Sequence, residues 1–225
     1  MNFFRSILAR MPESTQINIK QRYYRYLIRN NKFIAPEPEF YELHKFIQEG
    51  DWVIDIGANI GYYTNRLSEL VGRLGRVIAF EPVPTTFINL AENSLYFRYK
   101  NTTLINAACS NDTASCSISI PTHKNGSRNY YQARIVADDN AADITALTIP
   151  VDHLGLKHRI SLIKIDAEGH EPSIVAGLNN ILERDMPILI IETVTDDVYE
   201  QLMRLGYEDN SYQNSPNKLF SPKGA

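Results

Sequence analysis

The stretch WVIDIGANIG at residues 52–61 decides the fold. Its first half is a short, mostly apolar run of the kind that forms a buried strand, and residues 62–71 follow it with a helical pattern. Gly57 and Gly61 let the chain turn tightly and let a ligand come close to the main chain. The first turn of the helix beyond them attracts negative charge. The stretch therefore predicts a strand, a glycine turn suited to a ligand, and a helix.

The same alternation of strand and helix continues towards the C-terminus. Residues 76–80 and 103–107 are predicted strands on either side of a helix at 85–99. Further along, we predict a strand at 161–166, a helix at 171–182, a strand at 186–191, a helix at 196–205 and a closing antiparallel hairpin formed by 207–212 and 218–220. This order indicates an α/β fold with a mostly parallel, twisted sheet, helices on both faces and the hairpin at the C-terminal edge.

Two segments depart from the alternation. Residues 114–149 are rich in small polar residues and contain alternating runs, which predicts antiparallel strands around a polar loop at 121–131. Before the first strand, residues 15–34 and 39–48 have helical patterns, separated by the prolines of the APEP segment at 35–38.

Charge is distributed unevenly along the 225 residues. The net charge is −3, yet seven of the 23 basic residues and only one of the 26 acidic residues fall within residues 1–34. A basic N-terminal segment can meet an anionic membrane, but we favour a solvated helical face that packs on an acidic body. The acidic body argues against nucleic acid as a partner.

The cysteine content and the apolar runs indicate where the protein works. Cys109 and Cys116 form neither a disulfide framework nor a zinc set, so we predict a reducing, cytoplasmic environment. No run approaches the roughly 20 apolar residues of a membrane span. Nothing in the sequence fixes the oligomeric state.

Acidic residues end four predicted strands, at Asp55, Glu81, Asp166 and Glu192. The carboxyl ends of parallel strands share one edge, where such sheets bind ligands. A nicotinamide dinucleotide needs the pattern G-x-G-x-x-G, whose third glycine is missing here, and Asp55 would repel its pyrophosphate. S-adenosylmethionine carries a sulfonium and an amine, which suit Asp55, while Glu81 suits a ribose diol. Four acids on one edge also argue against a turn that binds no ligand.

Several stretches resemble the FkbM family of class I, Rossmann-like methyltransferases. They are VIDIGANIGYYT at 53–64, FEPVP at 80–84 with Phe87 and Asn93, INAA at 105–108, IKIDAEGHE at 163–171, Gly177, and IIE at 190–192. The resemblance covers roughly residues 50–192 and departs mildly at Val151-Asp152, where the family usually has leucine and aspartate. It implies methyl transfer to an oxygen of a sugar, glycan or secondary metabolite. Together with the helical patterns before the first strand, it leads us to predict a helical lead-in at 1–49 and a methyltransferase domain at 50–225.

The resemblance also implies a set of cofactor-binding residues. The methionine end of the S-adenosylmethionine pocket would be shaped by Asp55, Gly57, Asn59 and Gly61. The ribose hydroxyls would be held by Glu81, and the adenine would lie by Asn106 and Ala107.

Asp166, Glu168 and His170 are the candidate catalytic residues. An acceptor hydroxyl loses its proton as it attacks, so a general base is useful, and His170 is the natural base at neutral pH. We expect Asp166 to orient the cofactor or the acceptor. The alternative for His170 and Glu168 is a purely structural role at the start of the helix.

Three alternatives stay open at this stage. A divalent ion could be ligated by Asp166, Glu168, His170 and Glu192, although we do not expect the reaction to require a metal. The loop NGSRNYY at 125–131, including Arg128, could bind a sugar or polyol, or it could be an ordinary surface loop. An NAD-dependent oxidoreductase and a methyltransferase-like module without activity are the competing functions.

Overall fold

The computed structural model describes residues 13–123, 126 and 128–224. The helices are α1 (Glu13–Arg29), α2 (Pro38–Glu42), α3 (Tyr62–Val71), α4 (Pro84–Ser94), α5 (Glu171–Ala176), α6 (Asn179–Asp185) and α7 (Asp196–Leu205). The strands are β1 (Trp52–Ile56), β2 (Arg76–Phe80), β3 (Thr102–Ile105), β4 (Ala108–Cys109), β5 (Ser115–Ser119), β6 (Arg134–Val136), β7 (Ile144–Ile149), β8 (Ile160–Ile165), β9 (Ile188–Ile191), β10 (Tyr207–Asp209) and β11 (Lys218–Pro222). Single 3-10 turns lie at Leu43–Lys45, Tyr130–Gln132, Asp139–Ala141 and Val151–Leu154.

Seven strands form the central sheet in the order β10-β11-β9-β8-β1-β2-β3. The pairs among β3, β2, β1, β8 and β9 are parallel, whereas β11 is antiparallel to both β9 and β10. The predicted α/β class and the C-terminal hairpin are therefore confirmed. The strand order reverses between β1 and β8, and the crevice beyond such a reversal is where open parallel sheets bind ligands.

Apolar packing on both faces of the sheet explains why the central strands are almost continuously apolar. One core lies between the sheet and α5–α7, with Ile163, Leu178 and Leu202 fully buried. A second core lies on the opposite face under α3 and the residues after α2, where Leu43 and Leu67 are fully buried.

The segment at 114–149 forms most of a second sheet, in the order β4-β7-β5-β6. Its antiparallel pairs are β5 with β6 and β5 with β7, as predicted, and the short β4 joins β7 in parallel. This sheet brings residues of β5 and β6 over the carboxyl ends of the central strands.

The predicted helix at 171–182 is two helices, because the chain breaks at Gly177. A Cβ atom at this glycine would lie 2.0 Å from the backbone oxygen of Ser110, so the two chain segments approach too closely for a side chain. The helix predicted to reach residue 99 ends at Ser94, where Lys100 Nζ donates to the carbonyl oxygens of Ser94 and Leu95. The break at Gly177 thus comes from a contact that is distant in sequence, whereas the end at Ser94 comes from a local one.

Helix α1 packs against α4 and the residues that follow it. The guanidinium groups of Arg25 and Arg29 lie over the ring of Tyr96, at 4.3 and 5.5 Å from its centroid. Arg5 and Arg10 lie outside the described residues. Among the helices that the structure describes, none is long and apolar enough to cross a membrane. The boundary between a lead-in at 1–49 and a domain at 50–225 stays a prediction.

Candidate active site

The glycine turn after β1 is held tightly against the end of β8. Gly57, Asn59 and Gly61 all have positive φ angles, of 74°, 52° and 98°. A Cβ atom on Gly57 would lie 1.8 Å from the backbone oxygen of Asp166, which only glycine avoids. This close approach brings the turn into contact with the carboxyl end of β8.

Glu81 follows β2 and is 5% exposed. Its Oε2 accepts a hydrogen bond from the Asn59 backbone N–H and its Oε1 accepts one from Val83, both at 2.9 Å. Burial raises the pKa of Glu81 to about 7, although the two backbone hydrogen bonds oppose the shift. Asn106 Nδ2 donates to the carbonyl oxygens of Glu81 and Pro82, so this predicted adenine neighbour holds the chain around Glu81.

Two of the predicted cofactor residues lie behind the turn rather than in the wall of the cavity. Asp55 is fully buried, and its Oδ2 accepts a hydrogen bond of 2.6 Å from the Thr64 hydroxyl. Burial raises the pKa of Asp55, with the Lys164 ammonium acting against that shift. Gly61 caps α3, and a Cβ there would lie 2.7 Å from the Leu90 side chain. Both residues support the turn from below.

A cavity of about 220 Å³ opens at the strand ends. Its wall contains the predicted cofactor residues Gly57, Asn59, Glu81 and Ala107. The wall also contains the predicted catalytic residues Asp166, Glu168 and His170, together with Tyr131, Arg134 and Glu192. The fold thus brings the two predicted groups into one cavity, whereas Asp55, Gly61 and Asn106 lie just outside its wall.

A buried cation organises the carboxylates at this end of the sheet. Lys164 Nζ lies 2.7 Å from Asp166 Oδ2. Burial lowers the pKa of Lys164, but Asp166 and Asp55 raise it more, so the lysine stays charged. Burial and the neighbouring Asp166 raise the pKa of Glu192 to about 8, so its carboxyl group favours the protonated form at neutral pH.

Three half-buried carboxylates lie close enough together to hold a metal ion. Oxygen atoms of Asp166, Glu168 and Glu192 all fall within 4.8 Å of one another, while His170 is not part of this group. The Lys164 ammonium and the raised pKa of Glu192 both reduce the negative charge of this group. That no metal is required stays a prediction.

The loop between β8 and α5 has an unusual backbone conformation. Glu168 has a φ of 50°, and a non-glycine residue in this region stores strain that often accompanies function. The buried Glu171 steadies the loop, because its Oε1 accepts a hydrogen bond of 3.0 Å from the Ala167 N–H. Burial raises the pKa of Glu168, with added repulsion from Asp166 and Glu171.

His170 precedes α5, but its side chain makes no capping hydrogen bond to the described part of that helix. Its Nε2 lies 3.0 Å from the Ser110 hydroxyl oxygen. Burial lowers the pKa of His170 below 6.5, although Glu171 and Asp112 oppose the shift, so the ring is neutral at pH 7. A neutral imidazole in the cavity wall has the protonation state that a base requires.

The polar loop contributes to the cavity differently from what we expected. Arg128 lies outside the wall and forms a 2.8 Å ion pair with Asp143, so any effect on an acceptor would be indirect. Tyr131 and Arg134 do line the cavity. Asn125 and Ser127 lie outside the described residues.

Comparison with known proteins identifies the family. Residues 55–210 match the methyltransferase FkbM domain. The chain belongs to this family. The hexuronic acid methyltransferase AglP of Haloferax volcanii is 30% identical over 142 residues, which are 60% of this chain and 53% of that protein. The chain therefore spans about half the length of this relative.

One solved structure of similar fold is named an FkbM methyltransferase. Methyltransferase FkbM from Methylobacillus flagellatus KT has a TM-score of 0.54 and 17% identity, covering 82% of this chain and 50% of that one. A SAM-dependent methyltransferase from Aquifex aeolicus has a TM-score of 0.48 and 17% identity, covering 88% and 97%. Membership in the FkbM family confirms the resemblance found in the sequence, and the match continues beyond residue 192 to 210.

S-adenosylmethionine is the cofactor of this FkbM methyltransferase. The cavity wall fits that ligand in two respects. Glu81 presents a carboxylate whose remaining lone pairs can accept hydrogen bonds from two ribose hydroxyls. Gly57 lines the same cavity as the carboxyl groups of Asp166 and Glu168, which attract an amino group and a sulfonium.

The sequence drew attention to most of these side chains but missed others. Ser110 and Arg134 carry no local signal, since a serine after a short strand and one arginine in an alternating strand are ordinary. Their place at the site depends on the second sheet and on the contact between Ser110 and Gly177.

Proposed function

We propose that the protein is an O-methyltransferase that transfers the methyl group of S-adenosylmethionine to a hydroxyl of a sugar or glycan. The observation that carries the proposal is the single cavity, which is lined by Glu81 and the glycine turn and also by Glu168, His170, Tyr131 and Arg134. Donor and acceptor can therefore meet in line, and the catalytic gain from such positioning is large.

The acceptor class is supported by the relative and by the chemistry of the wall. The Haloferax volcanii relative is named a hexuronic acid methyltransferase. In this chain the acceptor side combines a phenol ring, a guanidinium and carboxyl groups, which together suit the hydroxyl groups and apolar ring faces of a sugar. The cavity is too acidic to favour nucleic acid.

Each residue has a proposed task in the reaction. The bound cofactor supplies an electrophilic methyl group, and Glu81 holds its ribose. Asp166, fixed by Lys164 at 2.7 Å, orients the groups at the reacting end. Glu168, which has a strained backbone conformation, lines the cavity and accepts a hydrogen bond from the acceptor.

His170 is the proposed general base. If its Nε2–H donates to the Ser110 hydroxyl, the Nδ1 atom keeps its lone pair and can take the proton of the acceptor hydroxyl. Ser110 is then the group that sets the tautomer and the ring orientation. Because the pKa of His170 is lowered by burial, the ring is ready to accept a proton at pH 7.

The proposal is tested by methyl transfer from S-adenosylmethionine carrying a ¹³C-labelled methyl group. The full chain is incubated with uronic acids and with the matching neutral sugars, and the product is located by NMR spectroscopy. We expect a methyl ether on a ring hydroxyl, lost in His170→Asn and kept in Asp197→Asn, whose exposed side chain does not line the cavity. A methyl ester, or no transfer to any sugar, would contradict the proposal.

A further inference from the structure

The outward face of helix α1 combines arginine and tyrosine side chains. Arg22, Tyr26 and Arg29 are spaced so that they share one face of the helix, and all three are exposed, Tyr26 by 54%. Tyr23, which is 57% exposed, borders the same face. Residues 14–36 contain five basic residues and no acidic one. The helix therefore presents a face that is positively charged and partly aromatic.

The opposite face of α1 fixes the helix to the rest of the domain. Tyr24 is buried and meets the ring of Phe33 edge-on, with 6.1 Å between the ring centroids. Phe33 in turn stacks on Tyr62, the first residue of α3, at 4.2 Å. Ile28 is buried in the same apolar cluster. Because this side of the helix is packed on the domain, the charged face is held in a defined orientation towards solvent.

The positive charge of this face is not neutralised by the domain. Arg25 and Arg29 lie over the ring of Tyr96 rather than beside a carboxylate. Within the part of the chain that the structure describes, no acidic side chain lies at ion-pair distance from Arg22, Arg25 or Arg29. The acidic body that we expected to meet this helix therefore leaves its charge available to a partner.

Apolar side chains adjoin the basic ones. Leu95 and Arg98 follow α4 on either side of Tyr96, and both are exposed, Leu95 by 61%. In the sequence, residues 1–12 add two basic residues, no acidic one and large apolar residues at 3, 4, 7, 8 and 11. A soluble polyanion would be matched by the charge alone. Basic side chains mixed with aromatic and apolar ones instead suit an anionic membrane, because the cations meet the headgroups while the rings and apolar groups enter the interface.

We propose that the exposed face of α1, together with Leu95 and Arg98, binds the surface of a membrane that contains anionic phospholipids. The arginines bind the headgroup phosphates, and the rings of Tyr23 and Tyr26 lie at the level of the headgroups. This contact is peripheral and does not involve the cavity, so it goes beyond the proposed function. Methyl transfer then takes place at a membrane surface.

Sedimentation of the full chain with lipid vesicles tests the charge. We expect binding to vesicles of phosphatidylcholine mixed with phosphatidylglycerol, weakening as the salt concentration rises, and little binding to phosphatidylcholine alone. The double variant Arg22→Gln, Arg29→Gln should bind the mixed vesicles roughly 10- to 30-fold more weakly, at about 5-fold for each basic residue. The matched control is Arg73→Gln with Lys157→Gln, which removes two exposed charges from the loops before β2 and β8 and should change binding less than about 2-fold.

A second variant separates a membrane from a soluble polyanion. Tyr23→Ser with Tyr26→Ser should weaken binding to the mixed vesicles by about 2- to 10-fold, because two rings are lost from the interface, and should leave binding to polyphosphate unchanged. Every variant should keep the wild-type Kd for S-adenosylhomocysteine, which shows that it is folded.

Three results would overturn the proposal. They are equal binding to neutral and anionic vesicles, equal losses in the arginine variant and its control, and equal losses for vesicles and polyphosphate in the tyrosine variant. The last of these would show a polyanion site in place of a membrane surface. None of the measurements uses a methyl acceptor, so they remain decisive even if the proposed function fails.

Discussion

Replacing Glu81 with alanine should weaken binding of S-adenosylhomocysteine more than any other single change in the wall of the cavity. Hydrogen bonds to a charged group contribute about 1.5–3 kcal/mol each, and the ribose diol can make two. Part of this is recovered by water that enters the space, so we expect a net loss of about 1–3 kcal/mol, or roughly 5- to 150-fold in Kd. The assay is isothermal titration calorimetry.

The pKa of Glu81 adds a second observable to the same experiment. Burial raises this pKa to about 7, so the carboxyl group is largely deprotonated at pH 8 and largely protonated at pH 6. If the ribose binds the carboxylate, affinity falls as the pH falls through 7, by roughly 10-fold at one unit below the pKa. The alanine variant should lose this dependence.

A control must separate ribose binding from support of the turn, because Glu81 also accepts hydrogen bonds from Asn59 and Val83. An analogue of S-adenosylhomocysteine without the 2′ and 3′ hydroxyls cannot use the carboxylate. It should bind the wild type and the alanine variant with similar Kd. Equal losses for both ligands, or an unchanged Kd for the natural one, would refute the role of Glu81 at the ribose.

Three further predictions follow from the geometry. His170→Asn should lower kcat by about 10²- to 10⁴-fold. It should also abolish the acidic limb of the pH–rate profile, in which the wild-type rate rises with pH through the lowered pKa of His170. A parallel loss of S-adenosylhomocysteine binding would argue against a role as base. Gly57→Ala should lower Tm more than Gly155→Ala, since both have positive φ but only a Cβ at 57 meets backbone, at 1.8 Å; equal losses would mean that strain alone matters. EDTA should leave methyl transfer unchanged because Lys164 already pairs with the carboxylates, and activity restored by added magnesium would show a required metal.

Periodicity and glycine placement were enough to predict the central sheet. The apolar runs that end at Asp55, Glu81, Asp166 and Glu192 are strands whose carboxyl ends meet at one edge. That edge follows from the parallel topology alone, so the sequence could predict that these acids are neighbours. It could not show that the Asp55 side chain is closed off from solvent, because that depends on the Thr64 hydroxyl and on the packing of α3.

The acceptor side was harder to predict because it is assembled from distant segments. Arg134 reaches the cavity through β6 of the second sheet, and Tyr131 reaches it from the 3-10 turn that precedes β6. The position of Ser110 beside His170 depends on the close contact at Gly177. No local sequence pattern encodes such contacts. The sequence therefore singled out Arg128 in this loop as an acceptor-binding residue, although its side chain pairs with Asp143 and does not line the cavity.

The most direct test of the account is the midpoint of thermal unfolding of the full chain with S-adenosylmethionine, S-adenosylhomocysteine or NAD. A ligand at about 100 times its Kd stabilises the folded state by roughly 2.7 kcal/mol, which for a chain of this size raises the midpoint by about 5–10 °C. We predict that rise with both sulfur compounds and none with NAD. A rise with NAD alone, or with none of the three, would contradict a cavity built for S-adenosylmethionine.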